Sequence, residues 1–301
     1  MFVLYKKTIM ISPSEFIHPE DAAAQKTLEA IPGFSLFTKK FMEYGLELMC
    51  YGSNIASSIR LSPTQLPQIY KYLPPICTKL GIEEPEFYLE MNPVPNAYTF
   101  GDTKKFISVT SGLIESLNDD EITAVIAHEC GHIICRHTLY NSMVMLLSSP
   151  DCMQMLPDAI KDAITIGLRY WSRKSELSAD RVAALVTSSE VFSRSMVRLA
   201  GGPKSITSNL NLQEWAEQAD VYNQLYNNEG VWNRTVQMYN IMYNTHPFAA
   251  VRVSEVLKWT KGGQYSSLRQ RVHDTAARRC CNCGREADYS MTYCQFCGSK
   301  I

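Results

Sequence analysis

Long hydrophobic runs are missing from this 301-residue chain: no stretch approaches 18 consecutive apolar residues, the length that a transmembrane helix requires. The apolar run at residues 143–147 is short and ends in Ser-Ser-Pro. A secretory signal is missing as well, because Lys6 and Lys7 precede only four residues before Ser12-Pro13, too few for an apolar signal core. We therefore expect no membrane span and a cytoplasmic location, with peripheral membrane contact left open.

An excess of charge of one sign is also missing. The chain has 29 Lys and Arg against 30 Asp and Glu, a formal net charge of −1. A general electrostatic attraction of the whole molecule to nucleic acid or to an anionic membrane is therefore not expected. The chain is 46% hydrophobic and 20% charged, which excludes wholesale disorder. Its length suits one large domain, or a domain with a small module.

Cysteine is plentiful, with ten in the chain, but its distribution does not suit a disulfide scaffold. Five of the ten fall within residues 280–297, where Cys280 and Cys283 form one C-x-x-C-G knuckle and Cys294 and Cys297 form another. Four thiolates at this spacing predict a closed, structural Zn²⁺ site in a small zinc ribbon, with Cys281 as a spare. So small a module needs its metal to fold.

A helix with a clear start signal lies in the middle of the chain. Asn118 can cap it while Glu121, three residues on, completes a capping box. The apolar pattern predicts that the helix continues to about Leu147, and a second helix is expected from about Ser172 to Val186. Upstream, residues 96–101 and 106–110 predict two strands joined by a turn at 102–105. Ser62-Pro63 predicts the start of a helix that runs towards Leu80, disturbed at Pro74-Pro75, and Gly81 is expected to stop it.

The capped helix carries the motif His128-Glu129-Cys130-Gly131-His132. Two histidines four residues apart share a helical face, so both imidazoles can reach one Zn²⁺. Glu129 lies beside them and can take a proton from a water activated by the metal. The motif is rare enough by chance to be informative, although it is not decisive alone.

Catalytic zinc needs a third protein ligand. His137 lies five residues past His132, about 140° around the helix, so we expect it to be structural. Glu176 and Asp180 are again four apart and share a helical face, so one can ligate the metal while the other holds a ligand imidazole. Without the motif, an ordinary solvated acidic face would explain the pair.

Several separate pieces, in this order along the chain, resemble the HtpX-like and CAAX prenyl protease 1-like family of gluzincin metallopeptidases (metallopeptidase family 48). The resemblance runs from about Asn96 to Arg252. Its pieces are Asn96-Ala97-Tyr98 with Gly101, Ser111-Gly112-Leu113, Asp120-Glu121, the His128 to His132 motif with Arg136-His137, Ser172-Arg173, Glu176, Ala179-Asp180, His246-Pro247 and Arg252.

The resemblance implies a role for each matching residue. His128, His132 and Glu176 would bind the catalytic zinc, and Glu129 would be the general base and then the proton donor. His246 would stabilise the oxyanion of the tetrahedral intermediate. Two residues would support the metal site from outside it, Asp180 by orienting His128 and Arg252 by ordering the same region. The edge formed by Asn96, Ala97 and Tyr98 would align an extended substrate by main-chain hydrogen bonds.

The sequence thus predicts an α+β fold: a predominantly helical gluzincin domain with a small β-sheet, followed by a zinc ribbon. The predicted boundaries are an N-terminal arm at 1–20, the peptidase domain at 21–261, a linker at 262–279 and the ribbon at 280–301. Membrane-embedded relatives carry transmembrane helices that this chain lacks, so prenylated substrates are not expected.

The predicted function is zinc-dependent endoproteolysis of protein or peptide substrates, with one catalytic and one structural Zn²⁺. Two alternatives stay open: a non-catalytic or latent scaffold that recruits a partner through the ribbon, and a defence-like protease kept latent until a partner binds. Arginines near the ribbon permit nucleic-acid binding, but no aromatic-rich basic surface accompanies them, so docking on protein is preferred.

Overall fold

The computed structural model describes residues 11–43, 45–146, 158–228 and 248–274, and within the C-terminal segment residues 278–279, 282–283, 285–287, 293–294 and 296–300. Helices and strands are numbered in chain order over these residues. As predicted, the chain is mainly helical with one small mixed sheet. Over the described residues, no helix combines the length and the apolar character needed to cross a bilayer.

Four helices precede the sheet: α1 (Pro13–Phe16), α2 (Pro19–Glu29), α3 (Phe34–Glu43) and α4 (Leu46–Ser57). On α3 the spacing of Phe34, Phe37 and Phe41 places all three rings on one face, and all three are buried. The chain is already part of the core before α2, since Ile11 and Phe16 are buried with residues of the central helices. The first ten residues of the predicted N-terminal arm lie outside the described residues.

The sheet has the order β1-β2-β4-β3, with β1 (Ile59–Arg60), β2 (Glu86–Glu90), β3 (Ala97–Phe100) and β4 (Phe106–Thr110). Strand β4 is parallel to β2 and antiparallel to β3, and all five of its residues are buried. The predicted pair of strands and their connecting turn are therefore confirmed. Strand β3 lies at the edge of the sheet, a position on which the site depends.

Between β1 and β2 the chain forms α5 (Pro67–Tyr70) and α6 (Leu73–Leu80). The predicted helix start at Ser62 is wrong: its hydroxyl accepts a hydrogen bond from the backbone of Gln65 within a turn. Pro74-Pro75 does not disturb a helix but lies in the first turn of α6, where a missing N–H costs nothing. Gly81 ends α6 in a left-handed conformation, as predicted.

The remaining helices form the body of the domain. They are α7 (Ser111–Ser116), α8 (Asp119–Ile134), α9 (Thr138–Leu146), α10 (Asp158–Val186), α11 (Ser189–Gly201), α12 (Lys204–Thr207), α13 (Leu212–Asn228), α14 (Ala249–Thr260) and α15 (Gly263–Asp274). Helix α10 starts well before the predicted Ser172, because Ile164, Leu168 and Trp171 recur at helical spacing and are fully buried. Its predicted end at Val186 is confirmed.

Helix α8 begins with the predicted capping box, in which Asn118 and Glu121 exchange side-chain to backbone hydrogen bonds of 3.0 and 3.1 Å. The prediction that it continues to Leu147 is wrong. Arg136 has φ +61°, a left-handed conformation that ends the helix and turns the chain back. The next residue, His137, donates its backbone N–H to the carbonyl of His132, and α9 starts one residue later.

The predicted linker contains α15, whose Leu268 and Val272 are buried in the main core. Beyond it, β5 (Arg278–Arg279) pairs antiparallel with β6 (Glu286–Ala287) in the cysteine-rich segment.

Candidate active site

Three side chains bring metal-binding atoms together at the contact of α8 with α10. Nε2 of His128 and Nε2 of His132 are 3.2 Å apart. The carboxylate oxygens of Glu176 lie 3.4 Å from Nε2 of His128 and 3.2 Å from Nε2 of His132. Nitrogen and oxygen ligands at tetrahedral angles around a zinc ion are about 3.3 Å apart. The separations of this donor triangle therefore fit zinc, and all three residues are buried.

Gly131 permits this meeting of the two helices. A Cβ atom on Gly131 would lie 2.9 Å from Cα of Ala179 and 3.1 Å from Cβ of Val182, both on α10. Glycine therefore lets the backbones approach closely at the level of the histidine pair. The close approach brings Glu176 within reach of both imidazoles.

A buried carboxylate and a buried guanidinium support His128. Nδ1 of His128 lies 2.9 Å from Oδ1 of Asp180. Arg252 donates to both oxygens of Asp180, at 2.8 and 2.5 Å, and also lies 3.1 Å from Glu176. Burial alone would raise the pKa of Asp180, but the charge and hydrogen bonds of Arg252 lower it, so the carboxyl is ionised. Arg252, on α14, thus pairs with two buried acids, and its single positive charge balances only one of them.

Burial and neighbouring charges act against each other on His128. Burial disfavours the charged imidazolium, whereas Glu176 and Asp180 favour it, and the balance raises the pKa of His128 to about 10. A cation at the donor triangle would satisfy the same two carboxylates. The site therefore has the negative surroundings that a divalent metal requires.

The imidazole of His132, the second candidate ligand, is supported through two successive contacts. Its Nδ1 lies 3.1 Å from Nδ1 of His137, and Nε2 of His137 lies 3.1 Å from Oδ2 of Asp21 on α2. Asp21 also accepts a hydrogen bond of 2.5 Å from the hydroxyl of Ser178. His137 is outside the donor triangle and buried, which agrees with the structural role expected from its position.

Glu129 points into the same space from the face of α8 next to the histidines, and the side chain is buried. The hydroxyl of Thr99 donates to Oε2 of Glu129 at 2.6 Å. Thr99 lies on β3, so the edge strand holds the candidate general base in place.

A cleft of about 260 Å³ opens over the donor triangle. Its apolar wall comes from α7, α8 and α11, with Leu113, Ala124, Val125, Phe192, Met196 and Leu199. Asn96 and Ala97 border it from the sheet side. The cleft therefore combines the candidate metal site, an apolar pocket and a strand edge.

The hydrogen bonding of β3 shows which backbone groups face the cleft. Asn96 accepts from the backbone of Thr110, so its carbonyl points towards β4. Because hydrogen-bonded and non-hydrogen-bonded pairs alternate in an antiparallel ladder, the N–H and C=O of Ala97 point away from β4. Tyr98 pairs with Ser108 in the ladder, and its hydroxyl donates to Glu90, away from the cleft. Ala97 is thus the predicted substrate-edge residue best placed to pair with another chain.

Two predictions fall partly or wholly outside the described residues. His246, assigned to the oxyanion by the resemblance, lies outside them, and so does Cys280 of the ribbon. The other three predicted ribbon ligands, Cys283, Cys294 and Cys297, do come together, with the sulfur atoms of Cys283 and Cys294 3.6 Å apart. Zinc-bound sulfurs are about 3.8 Å apart, so these cysteines fit one site.

Sequence reasoning missed Thr99, Asp21 and Ser178. No spacing rule connects a residue on α2 to a histidine more than 100 positions later, and Thr99 is an ordinary strand residue. The Arg136-His137 pair was visible, but its left-handed turn was not, because only about a few per cent of non-glycine residues adopt positive φ.

The chain matches known proteins over much of its length. The family model described as Peptidase family M48 matches residues 64–260. The chain is 33% identical over 272 residues to the plastoglobule-localized metallopeptidase 48, chloroplastic, of Arabidopsis thaliana, a match that covers 87% of this chain and 77% of that protein.

Two further relatives match over shorter stretches. The chain is 39% identical over 75 residues to Protease HtpX of Legionella pneumophila (strain Corby), which covers 24% of this chain and 27% of that protein. A Protease HtpX homolog of Pyrococcus furiosus is 32% identical over 90 residues, or 29% of this chain and 31% of that protein. The crystal structure of S. mikatae Ste24p overlaps 78% of this chain and 65% of that chain, with 17% identity and a TM-score of 0.38.

Proposed function

Because the chain belongs to peptidase family M48, we propose that it is a zinc-dependent endopeptidase that hydrolyses peptide bonds in protein substrates. The observation that carries the proposal is the buried donor triangle of His128, His132 and Glu176, with Glu129 beside it. Its separations of 3.2 to 3.4 Å suit zinc, and its three ligands leave a fourth position for water or substrate.

In this proposal His128, His132 and Glu176 hold the catalytic zinc. Zinc at this position supplies Lewis-acid chemistry, lowering the pKa of a water and polarising a substrate carbonyl. Glu129 takes the proton of the attacking water and later delivers it to the departing amine. Thr99 donates a hydrogen bond of 2.6 Å to one carboxylate oxygen of Glu129 and so orients the carboxylate for proton transfer. Asp180 orients His128, and Arg252 orders Asp180 and Glu176.

The strand edge and the pocket define how a substrate would lie. The outward backbone groups of Ala97 pair with an extended peptide, while Asn96 and Tyr98 hold the strand itself against β4. The apolar wall formed by residues such as Val125 and Met196 takes an apolar side chain next to the scissile bond. His246 stabilises the oxyanion, an assignment that rests on the family resemblance.

We propose a structural zinc held by Cys280, Cys283, Cys294 and Cys297, with the ribbon offering a surface to a protein partner. We also propose the domain boundaries predicted above, except that Ile11, Phe16 and α15 belong to the core of the peptidase domain. A cytoplasmic location stays a prediction from the sequence, whereas the Arabidopsis thaliana relative is named as plastoglobule-localized. Cell fractionation tests it.

The test uses the full chain and a quenched fluorescent unfolded protein as substrate. Glu129→Gln should keep its zinc and its fold but lose hydrolysis, whereas Glu115→Gln, the same change at an exposed position, should behave like wild type. Zinc per chain should fall from about two to about one in a His128→Ala, Glu176→Ala double variant. Full turnover by Glu129→Gln would overturn the mechanism. A wild type that holds only about one zinc, unchanged in the double variant, would favour the scaffold instead.

A further inference from the structure

We infer that Asp21, His137 and Ser178 are positioning residues that fix the ligand imidazole of His132, through a relay that begins on α2. The inference rests on the proposed function, because it takes His132 as a zinc ligand. It extends the metal site to a segment that the family model, which starts at residue 64, does not include.

The relay has one consistent arrangement of protons. Zinc binding through Nε2 of His132 requires the proton on Nδ1, which then donates to Nδ1 of His137 at 3.1 Å. That nitrogen of His137 must accept, so Nε2 of His137 carries the proton; it lies 3.1 Å from Oδ2 of Asp21, within ion-pair distance but without the alignment of a hydrogen bond. Each contact determines the next, and together they leave Nε2 of His132 as the ligand atom.

Asp21, at the far end of the relay, is held in place by its surroundings. Asp21 is fully buried, in the first turn of α2, where the helix dipole favours a negative charge. Ser178 donates to Asp21 and accepts the backbone N–H of His18 at 2.9 Å. Since Ser178 lies on α10 between Glu176 and Asp180, the same helix that presents a zinc ligand also holds the relay.

The two ligand histidines are therefore supported in parallel ways. His128 contacts the carboxylate of Asp180 directly, whereas His132 reaches the carboxylate of Asp21 through a second imidazole. The left-handed turn at Arg136 allows the contact through His137, because it brings His137 back beneath His132.

Charge distinguishes the relay from ordinary packing. Asp180 is paired with a guanidinium, but Asp21 is contacted only by imidazole and hydroxyl groups among the described residues, and its Oδ1 has no hydrogen-bond partner there. A buried carboxylate needs a compensating positive charge. A divalent cation bound by His132 would supply that charge through the relay, so zinc affinity should depend on Asp21.

The test measures zinc affinity of the full chain by chelator competition. The catalytic site is defined as the fraction of zinc that is lost in His128→Ala. Asp21→Asn should weaken this site about tenfold or more, in the range typical for outer partners of metal ligands. The matched control is Glu20→Gln, one residue away on α2, where the side chain is exposed and pairs with Lys174. It should leave the affinity unchanged.

The visible spectrum of the Co²⁺-substituted catalytic site gives a second measurement, which a change in packing alone would not alter. His137→Phe should weaken metal binding and shift this spectrum, and His137→Gln, which can still accept and donate hydrogen bonds, should restore part of both. Thermal unfolding of the metal-free variants checks that each one folds. If Asp21→Asn does not fold, Ser178→Ala, which removes one bond to Asp21, replaces it with the same expected direction.

The outcomes separate the two claims. If His132→Ala leaves the zinc content unchanged, the proposed metal site is wrong and the relay is wrong with it. If His132→Ala loses the catalytic zinc while the Asp21 and His137 variants keep wild-type affinity and spectrum, the metal site stands and the relay alone is overturned.

Discussion

The hydroxyl of Thr99, on the edge strand of the sheet, lies 2.6 Å from Oε2 of Glu129 on the helix that carries both histidines. The same hydroxyl lies 3.2 Å from the backbone carbonyl of Glu129, but its single proton goes to the nearer carboxylate oxygen. The strand that borders the substrate cleft is thereby tied to the candidate general base.

We therefore expect Thr99→Val, which keeps the shape but removes the hydroxyl, to lower kcat. A hydrogen bond to a charged group contributes about 1.5–3 kcal/mol, so a reduction of about tenfold or more is expected, with little change in zinc content. Thr99→Ser, which retains the hydroxyl, is the matched control. Equal kcat values for the valine and serine variants would show that this contact does not serve catalysis.

Gly131 should not tolerate a methyl group. The added Cβ would meet the backbone of Ala179 at 2.9 Å, so α10 must move away and carry Glu176 from the donor triangle. We expect Gly131→Ala to lose about 1–3 kcal/mol of unfolding free energy and to bind catalytic zinc more weakly. Gly52→Ala is the control, since nothing lies within 4 Å of its added Cβ, and it should stabilise α4 by about 0.5–1 kcal/mol. Urea unfolding and zinc analysis measure both.

Removal of Arg252 should be costly to the fold. Its guanidinium is buried between the carboxylates of Asp180 and Glu176, so Arg252→Met leaves two acids without their cation. We expect a loss of about 3–5 kcal/mol in the metal-free protein, measured by urea unfolding. Lys258→Met, on the exposed face of the same helix, should change stability by less than about 0.5 kcal/mol. Similar losses in the two variants would contradict this account.

Glu47 should make the sheet sensitive to acid. Its carboxylate accepts hydrogen bonds of 2.6 to 2.9 Å from the backbone of Asp102, Thr103 and Lys104 and from the Thr103 hydroxyl, at the β3–β4 turn. Burial alone would raise its pKa, but these donors lower it below the ordinary value. A lowered pKa means stability that is present above the unfolded value of 4.5 and is lost as the pH falls through the folded pKa.

Glu47→Gln should therefore be less stable than wild type at pH 7, and the difference should shrink below about pH 4. Thermal unfolding between pH 3 and 7 measures it, with the exposed Glu115→Gln as the comparison. A stability difference that does not change with pH would show that the ionised carboxylate is not what holds the turn.

Local structure could be predicted from the sequence wherever one short segment of the chain determines it. The capping box of Asn118 and Glu121, the strand at residues 106–110 and the stop at Gly81 all depend on neighbours in the chain, and all three are confirmed. The face shared by His128 and His132 follows from helix geometry in the same way.

Predictions failed where tertiary packing decides the outcome. A left-handed arginine at 136 breaks a helix that the apolar pattern continues, and the burial of Ile164 and Trp171 extends α10 far before its predicted start. Asp21 could not be found at all, because its contact with His137 joins segments that are distant in sequence.

The outward N–H and C=O of Ala97 carry a consequence for what the enzyme selects. Main-chain groups are the same in every peptide, so an edge of this kind distinguishes substrates mainly by whether their backbone is available. In a native domain those groups are already paired within helices and sheets. An edge that recognises bare backbone would thus select damaged, nascent or locally melted chains over intact ones, and folding state would matter more than residue identity in determining which proteins are cut.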